Sequence, residues 1–452
     1  MTRIVSSSAR MSLGLFLMGA GHHIAAWRLP DAPPGAATSF DHYREIAKAA
    51  EAAKFDMVFL ADSASIREFG QSSIGSDERA VRLEPLTLLS ALSVATDRIG
   101  LVATASTTYN EPFNLARRFA SLDLLSGGRA GWNLVTTSNA EDGPNYSLDA
   151  HPPHAERYAR AEEFEEVVRG LWHSWQGGDA FPIDKAAGRL FNPENLHPLA
   201  HRGRHFSVRG PLGVPPSAQG HPVIVQAGAS DAGREIAARS AEVIFAAHQN
   251  FDDAFQFYQD VKGRMARYGR APDSLRILPG VSPYIGRTRA EAQAAFDELQ
   301  ALVTHEVGLK LLQPFAGGLD LRDHDPDGPL PDLPPTKDAI GRQKLLVDLA
   351  RRENLTIREL YLHIAGARGH WQLVGTASDI ADELEHYFRN GAADGFNIMP
   401  PALPRSLGPI SELLLPELRR RGLFRDDYTG STLREHLDLP RPDLPAFPQS
   451  AA

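Results

Sequence analysis

Short apolar runs recur along the chain, and most of them are followed by a segment in which apolar residues repeat with helical spacing. This alternation is typical of a parallel α/β sheet, in which helices cross over between buried strands. The runs with the length of buried strands are Ser12–Met18, Asp56–Leu60, Ile99–Ala105, Ala130–Val135, Pro222–Gln226, Glu242–Ala246, Arg276–Val281 and Gly395–Met399. Eight such runs favour a TIM-type (β/α)8 barrel, although a doubly wound open sheet would show the same alternation. In both folds, ligands bind at the carboxyl ends of the strands.

Two regions interrupt the alternation. Residues 176–220 are rich in Gly and Pro and predict a long loop, whereas residues 302–375 contain the acidic, Pro-rich run Asp320–Pro335 and then a helix, Lys337–Glu353. Long insertions at barrel loops commonly act as lids or interface elements. We therefore predict one barrel domain over residues 1–438, with insertions near 176–220 and 302–375, and a Pro-rich C-terminal arm over residues 439–452.

Composition excludes several classes of protein. The 452 residues include 47 Lys and Arg against 56 Asp and Glu, a net charge of −9 that argues against a nucleic-acid partner. The chain has no cysteine, which excludes disulfides, thiolate metal ligands and thiol nucleophiles. No run approaches the roughly 18 apolar residues of a membrane span, and the N-terminal segment has no export-signal cleavage site. We expect a soluble, cytoplasmic protein.

Polar residues follow the predicted strands and should meet at one rim of the sheet. Asp62 comes directly after the second strand, Thr104 lies at the end of the third, and Asn133 lies within the fourth. His154 and Tyr158 begin a predicted amphipathic helix, His154–Trp175, and share one of its faces. Taken alone, this pair would be interpreted as a structural contact onto the sheet. Together with the strand-end residues and Ser230, it completes a ring of polar groups at one rim and predicts a binding site.

The segment from Gly228 to Gly233 follows the fifth strand and opens a helix. It lacks the spacing of the dinucleotide fingerprint and the Lys of a phosphate loop. Ser230 can cap this helix, and the free N–H groups of the first turn attract an anion. The pattern is consistent with a plain helix cap or with a phosphate site, and a capping Asp231 would repel a phosphate, which favours Ser230 as the contact.

His22 and His23 lie just after the first strand, with Trp27 close behind. Adjacent side chains point in different directions on an extended chain, unlike the His-x-His pair of a metal-dependent barrel hydrolase. The sequence therefore predicts no metal site, although such a hydrolase stays open as a less favoured alternative.

Long motifs in these regions resemble those of the flavin-dependent monooxygenases of the bacterial luciferase-like superfamily. The matching stretches are residues 21–28 (GHHIAAWR), 59–62 (FLAD), 101–113, 115–123, 126–136, 154–164 (HAERYARAEEF), 226–230 (QAGAS) and 375–377. They occur in the family's order over about four fifths of the chain. The most similar branch contains the nitrilotriacetate, EDTA, dibenzothiophene-sulfone and long-chain alkane monooxygenases.

This resemblance implies a TIM-type barrel that binds reduced FMN, delivered by a separate NAD(P)H:flavin reductase, and uses O2 to oxygenate a small organic substrate. By the family pattern, the residues that contact FMN are Asp62, Thr104, His154, Tyr158 and Ser230, with Asn133 near the ring. Tyr158 and Ser230 would hold the phosphate end. We expect His22, His23 and Trp27 on the substrate side of the pocket.

The resemblance also implies a homodimer or homotetramer, and it leaves the substrate undefined, since the branch accepts aminopolycarboxylates, sulfur compounds and alkanes. Two further alternatives remain open. One is a flavin-binding protein or sensor without oxygenase activity. The other is a deazaflavin-dependent oxidoreductase of the same superfamily, which the closer match to the longer monooxygenase branch disfavours.

Overall fold

Each of the eight predicted strands is present in a computed structural model of the chain, which describes residues 9–66, 75–137, 139–176, 180–228, 230–336, 340–367 and 369–442. They are β1 Ser12–Leu17, β2 Met57–Leu60, β3 Gly100–Ser106, β4 Ala130–Val135, β5 Val223–Gln226, β6 Val243–Ala246, β7 Arg276–Gly286 and β8 Gly395–Ile398. All pair in parallel, and β8 pairs with both β7 and β1, so the sheet closes. The predicted (β/α)8 barrel is therefore confirmed.

Helices surround the barrel in the described residues. They are α1 Phe40–Ala52, α2 Pro85–Ser93, α3 Pro112–Leu125, α4 His154–Trp172, α5 Asp231–Ser240, α6 Phe251–Arg264, α7 Arg289–Ala301, α8 His305–Leu312, α9 Ile340–Glu353, α10 Ile357–Ala365 and α11 Ala377–Arg389. Residues 407–420 form a further helical segment. Among these described segments, no helix combines the length and the apolar character needed to cross a membrane.

Apolar side chains fill the barrel interior and close its amino-terminal end. Inward-facing residues of the strands, such as Val102 and Val223, cluster with Leu433 and Leu437 of the C-terminal region. Leu433 belongs to a short helix, Leu433–His436. Because this end is sealed by the chain itself, a ligand has to enter from the carboxyl ends of the strands.

The predicted C-terminal arm begins within the apolar cluster that closes the amino-terminal end of the barrel. Leu439 is only 7% exposed and packs in the same interior cluster. Residues 443–452 lie outside the described residues, so the arm stays a prediction there.

The insertion at 302–375 contains more structure than the sequence predicted. Where one helix, Lys337–Glu353, was expected, the structure has α8, α9 and α10, which enclose their own apolar cluster around Tyr361 and Leu360. Residues 337–339 of the predicted helix lie outside the described residues. An additional strand, Trp371–Thr376, pairs with the second half of β7, which is longer than predicted.

The insertion at 176–220 is mostly irregular, as predicted. In its described part, two short antiparallel strands, His201–Arg202 and Ser207–Val208, pair with each other. The division into one domain, two insertions and an arm stays a prediction.

Candidate active site

A cavity of about 320 Å³ opens at the carboxyl ends of the barrel strands. Phe16 of β1, Phe59 of β2 and Phe245, from β6, form its apolar wall. The ring of Phe16 meets those of Phe59 and Phe245 edge-on, with centroids 4.8 and 5.5 Å apart. A planar apolar ligand would find a rigid aromatic surface here, because edge-to-face packing fixes these rings against each other.

The polar wall of the cavity includes Thr104 and Asn133, which are register partners on β3 and β4. Asn133 Nδ2 donates a hydrogen bond of 2.8 Å to Thr104 Oγ1. Asn133 Oδ1 is buried and accepts no hydrogen bond from any described residue. Buried amide oxygens are nearly always satisfied, so this atom indicates that a ligand donor belongs beside it. An N–H on the edge of a flavin ring is a group of this kind.

Asp62 lines the cavity directly after β2, as predicted. Its Oδ1 accepts a hydrogen bond of 2.8 Å from the Ser63 N–H. Burial is the main influence on this carboxyl and raises the pKa of Asp62, while the Ser63 N–H acts in the opposite direction. The residue itself is exposed, so the desolvation comes from the surrounding cavity walls and leaves the carboxyl within reach of a ligand.

Tyr158, His154 and Ser230 meet between α4 and α5. Tyr158 lines the cavity, and the ring of His154 stacks on it with centroids 4.4 Å apart. Ser230 Oγ donates to Tyr158 Oη at 3.1 Å and accepts from the Gly233 N–H at 3.1 Å. The structure thus brings the three predicted residues together, although only Tyr158 borders the cavity itself.

The N-terminus of α5 can accept an anion at this place. Ser230 is the N-cap of the helix, so the helix-cap interpretation is correct, and the same geometry leaves its hydroxyl beside Tyr158. Asp231 pairs with Arg264 at 2.6 Å, which offsets the negative charge in the first turn. A phosphate group would then meet the positive end of the helix dipole without a free carboxylate beside it.

His22, His23 and Trp27 do not line the cavity. His22 lies behind its wall, with its ring edge-on to Phe16 at 4.4 Å and Nε2 2.9 Å from the Phe16 carbonyl oxygen. His23 Nε2 lies 3.2 Å from Gln300 Oε1, and burial lowers the pKa of His23 to about 4. Trp27 is 39% exposed. The structure therefore places them beside or behind the cavity wall, and their role toward a substrate stays a prediction.

The sequence analysis missed one side of the cavity. Tyr109 and Tyr146 line it as a stacked pair, with centroids 4.6 Å apart and planes 12° from parallel. Tyr109 Oη also lies 2.6 Å from Nδ1 of His151. Tyr109 is the last residue of the polar segment 104–109 at the end of β3, and this place near a strand end could have identified it as a site residue. Tyr146 and His151 lie in the connection to α4, where no periodicity marks them.

Asp142 joins two loops at the cavity. It is 3% exposed, and its Oδ1 accepts from the Ser65 N–H and from Asn139 Nδ2, both at 3.0 Å. Ser65 follows β2 and Asn139 follows β4, so this carboxylate ties the two loops together. Neither here nor elsewhere in the described residues is a group of three or more His, Asp or Glu side chains arranged to hold a metal ion.

The sequence profile of the luciferase-like monooxygenase family matches residues 20–394. The protein belongs to this family. It is 49% identical to nitrilotriacetate monooxygenase component A of Aminobacter aminovorans, over 97% of this chain and 98% of that protein. It is 48% identical to N-acetyl-S-(2-succino)cysteine monooxygenase of Bacillus subtilis (strain 168), over 97% of this chain and 99% of that one. The predicted resemblance is thereby confirmed.

A solved structure of riboflavin lyase with modified FMN and the substrate riboflavin is also similar. It superimposes with a TM-score of 0.82 at 32% identity, covering 95% of each chain. This luciferase-like family member therefore shares its fold with a protein whose structure holds a flavin.

Proposed function

We propose that this luciferase-like family member is the oxygenase component of a two-component monooxygenase. It takes reduced FMN from a separate NAD(P)H:flavin reductase and uses O2 to oxygenate a small organic substrate. The observation that carries the proposal is the buried, unsatisfied Asn133 Oδ1, in a cavity that reaches Tyr158 beside the N-terminus of α5. One end of this cavity suits the edge of a flavin ring, and the other suits a phosphate.

Different residues of the cavity would bind different parts of FMN. We assign FMN contacts to Asp62, Thr104, Asn133, His154, Tyr158 and Ser230. Ser230, Tyr158 and the first turn of α5 would hold the phosphate, while Asn133 and Thr104 would bind the ring edge. The aromatic wall around Phe16 would exclude water from the ring. Bound reduced FMN supplies the two electrons with which one oxygen atom of O2 becomes water while the other enters the substrate.

The partner and the setting are part of this proposal. The name of the nitrilotriacetate relative, component A, supports a second component for this chain as well. We propose a homodimer or homotetramer in the cytoplasm, with neither nucleic acid nor membrane as a partner. The substrate would approach from the side of His22, His23 and Trp27.

The test begins with anaerobic titration of the protein with photoreduced FMN. A reductase, NADH and O2 are then added with nitrilotriacetate or N-acetyl-S-(2-succino)cysteine, and O2 uptake and product are followed. We expect tight FMN binding and product formation that depends on one of these substrates or on a close analogue. Binding without any substrate-dependent O2 uptake would favour a flavin-binding protein instead.

A variant checks the assigned site. His154→Ala should raise the Kd for FMN at least about tenfold, because it removes the ring that supports Tyr158. His386→Ala, on the exposed face of α11, is the matched control and should bind as the wild type does. Near-normal affinity of His154→Ala would count against the whole site.

A further inference from the structure

The guanidinium of Arg157, in the first turn of α4, donates hydrogen bonds to backbone carbonyl groups. Its Nε donates to the Pro152 carbonyl at 3.0 Å, and Nη1 donates to the Thr136 carbonyl at 3.1 Å and to that of Thr137. It forms no ion pair with a carboxylate among the described residues. Burial accordingly lowers the pKa of Arg157. Arg157 therefore joins the start of α4 to the turn that follows β4.

Both elements that Arg157 joins belong to the candidate site. Thr136 and Thr137 line the cavity, and Thr137 has a φ of 51°, a left-handed conformation that is unfavourable for a β-branched residue. On the other side, Tyr158 is the next residue along α4 and borders the same cavity. A strained turn persists only where its surroundings hold it. The Thr137 carbonyl accepts from Arg157, and the Thr136 carbonyl accepts from both Arg157 and Thr108 Oγ1, the latter at 2.8 Å.

A lysine could not replace this arrangement. The guanidinium is planar and presents donors in a fixed fork, so one side chain can bind several carbonyl oxygens at set angles. A lysine ammonium keeps the charge but not this geometry. The Arg→Lys substitution therefore separates the positioning of the turn from the effect of the positive charge.

We propose that Arg157 is a positioning residue that makes the two ends of the flavin site form as one unit. It fixes the cavity wall after β4, where the ring would bind, to the helix that carries His154 and Tyr158, where the phosphate would bind. This inference rests on the proposed function. Arg160, one turn further along α4, extends the pattern, because it donates to the carbonyls of Thr107 and Asn110 after β3, both at 3.1 Å.

The experiment compares FMN with riboflavin, which lacks the phosphate. Kd values for both flavins are measured by fluorescence quenching in the wild type and in Arg157→Lys, together with the Tm of each protein. We expect the Kd of riboflavin to rise about tenfold in Arg157→Lys, because the loosened turn affects the ring end that both flavins share. The Kd of FMN should rise by a larger factor, because only FMN occupies both of the ends that Arg157 joins.

Arg270→Lys is the matched control. Arg270 is half-buried, as Arg157 is, and it does not line the cavity. It also donates to backbone carbonyls, those of Ala237, Ala238, Ala241 and Ser274. It should lower the Tm comparably and leave both Kd values unchanged. If Arg157→Lys does not fold, Arg157→Gln serves in the same comparison.

Three results would overturn the inference. Unchanged affinities in Arg157→Lys would mean that the turn does not depend on Arg157. A loss confined to FMN, with riboflavin binding intact, would mean that Arg157 serves the phosphate end alone, and an equal fold-loss for both flavins would mean that it serves the ring end alone. Absence of FMN binding in the wild type is a different failure, since it rejects the proposed function itself.

Discussion

At the scale of single residues, His173 is a buried base that the fold keeps neutral. It follows the last turn of α4, is 3% exposed, and its ring centroid lies 5.3 Å from that of His221. Burial is the main cause that lowers the pKa of His173 to about 3, and the charges of His221 and Arg169 act in the same direction, against Glu242. Neither ring nitrogen has a hydrogen-bond partner among the described residues.

This lowered pKa predicts a sensitivity to acid. The unfolded chain binds a proton at His173 near pH 6.5, while the folded chain does not until about pH 3, so stability is lost as the pH falls between these values. At pH 5, a histidine with this lowered pKa reduces the free energy of unfolding by about 2 kcal/mol relative to its value at neutral pH. Between pH 7 and pH 5, we expect the free energy of unfolding, measured with urea, to fall by about 2 kcal/mol less in His173→Gln than in the wild type. His386→Gln, at an exposed position, should behave as the wild type, and equal losses in all three proteins would contradict the prediction.

The sequence could predict those site residues that lie at the carboxyl end of a strand, because the strand itself determines their position. Asp62, Thr104 and Asn133 lie at the cavity because parallel strands present their carboxyl ends at one rim. The directions of His22 and His23 depend instead on distant contacts. His23 meets Gln300, which is 277 positions away along the chain. Nothing in the local pattern specifies such a contact.

At the scale of elements, the barrel strands could be predicted from local sequence pattern, whereas the helices of the insertion at 302–375 depend on contacts between segments. The barrel strands are continuous apolar runs because both of their faces are buried, so they can be recognised one at a time. In the insertion, α8 and α10 have only 8 and 9 residues. Helices of that length are not stable alone and depend on packing against each other, which no single segment reveals.

The contact between α8 and α10 can be tested at Gly308. A Cβ atom added there would come within 2.3 Å of the ring of Tyr361, which is 1% exposed. Gly308→Ala should therefore destabilise the insertion by about 1–3 kcal/mol and speed its cleavage in limited proteolysis. FMN affinity should stay within about twofold of the wild type, because none of the described residues of the insertion lines the cavity.

Gly263→Ala is the control for this prediction. Gly263 lies within α6, and a Cβ atom there meets nothing within 4 Å, so alanine should be tolerated or slightly stabilising. Equal cleavage rates in the two variants would show that Tyr361 yields to the added methyl group. A large loss of FMN affinity in Gly308→Ala would show that the insertion supports the cavity after all.

At the scale of the whole molecule, the neighbouring helices α2 and α3 form a face that carries several solvent-exposed apolar side chains. Val94, at the end of α2, is 80% exposed, and Leu125, at the end of α3, is 64% exposed. Phe113 and Leu124 of α3 are 39% and 40% exposed. Single exposed apolar residues are ordinary, but a group on two adjacent helices is typical of a protein–protein interface.

This face is where we expect the proposed homo-oligomer to form. In a twofold symmetric dimer the same surface of both subunits takes part, so one substitution acts twice. Leu125→Glu would place two carboxylates in the interface. It should shift the molar mass, measured by light scattering during size-exclusion chromatography, to that of a monomer of 49.3 kDa. Leu190→Glu is the matched control, because Leu190 is 62% exposed but lies in the insertion at 176–220. If Leu190→Glu alone dissociates the protein, the interface lies on that insertion, and a monomeric wild type would reject self-association altogether.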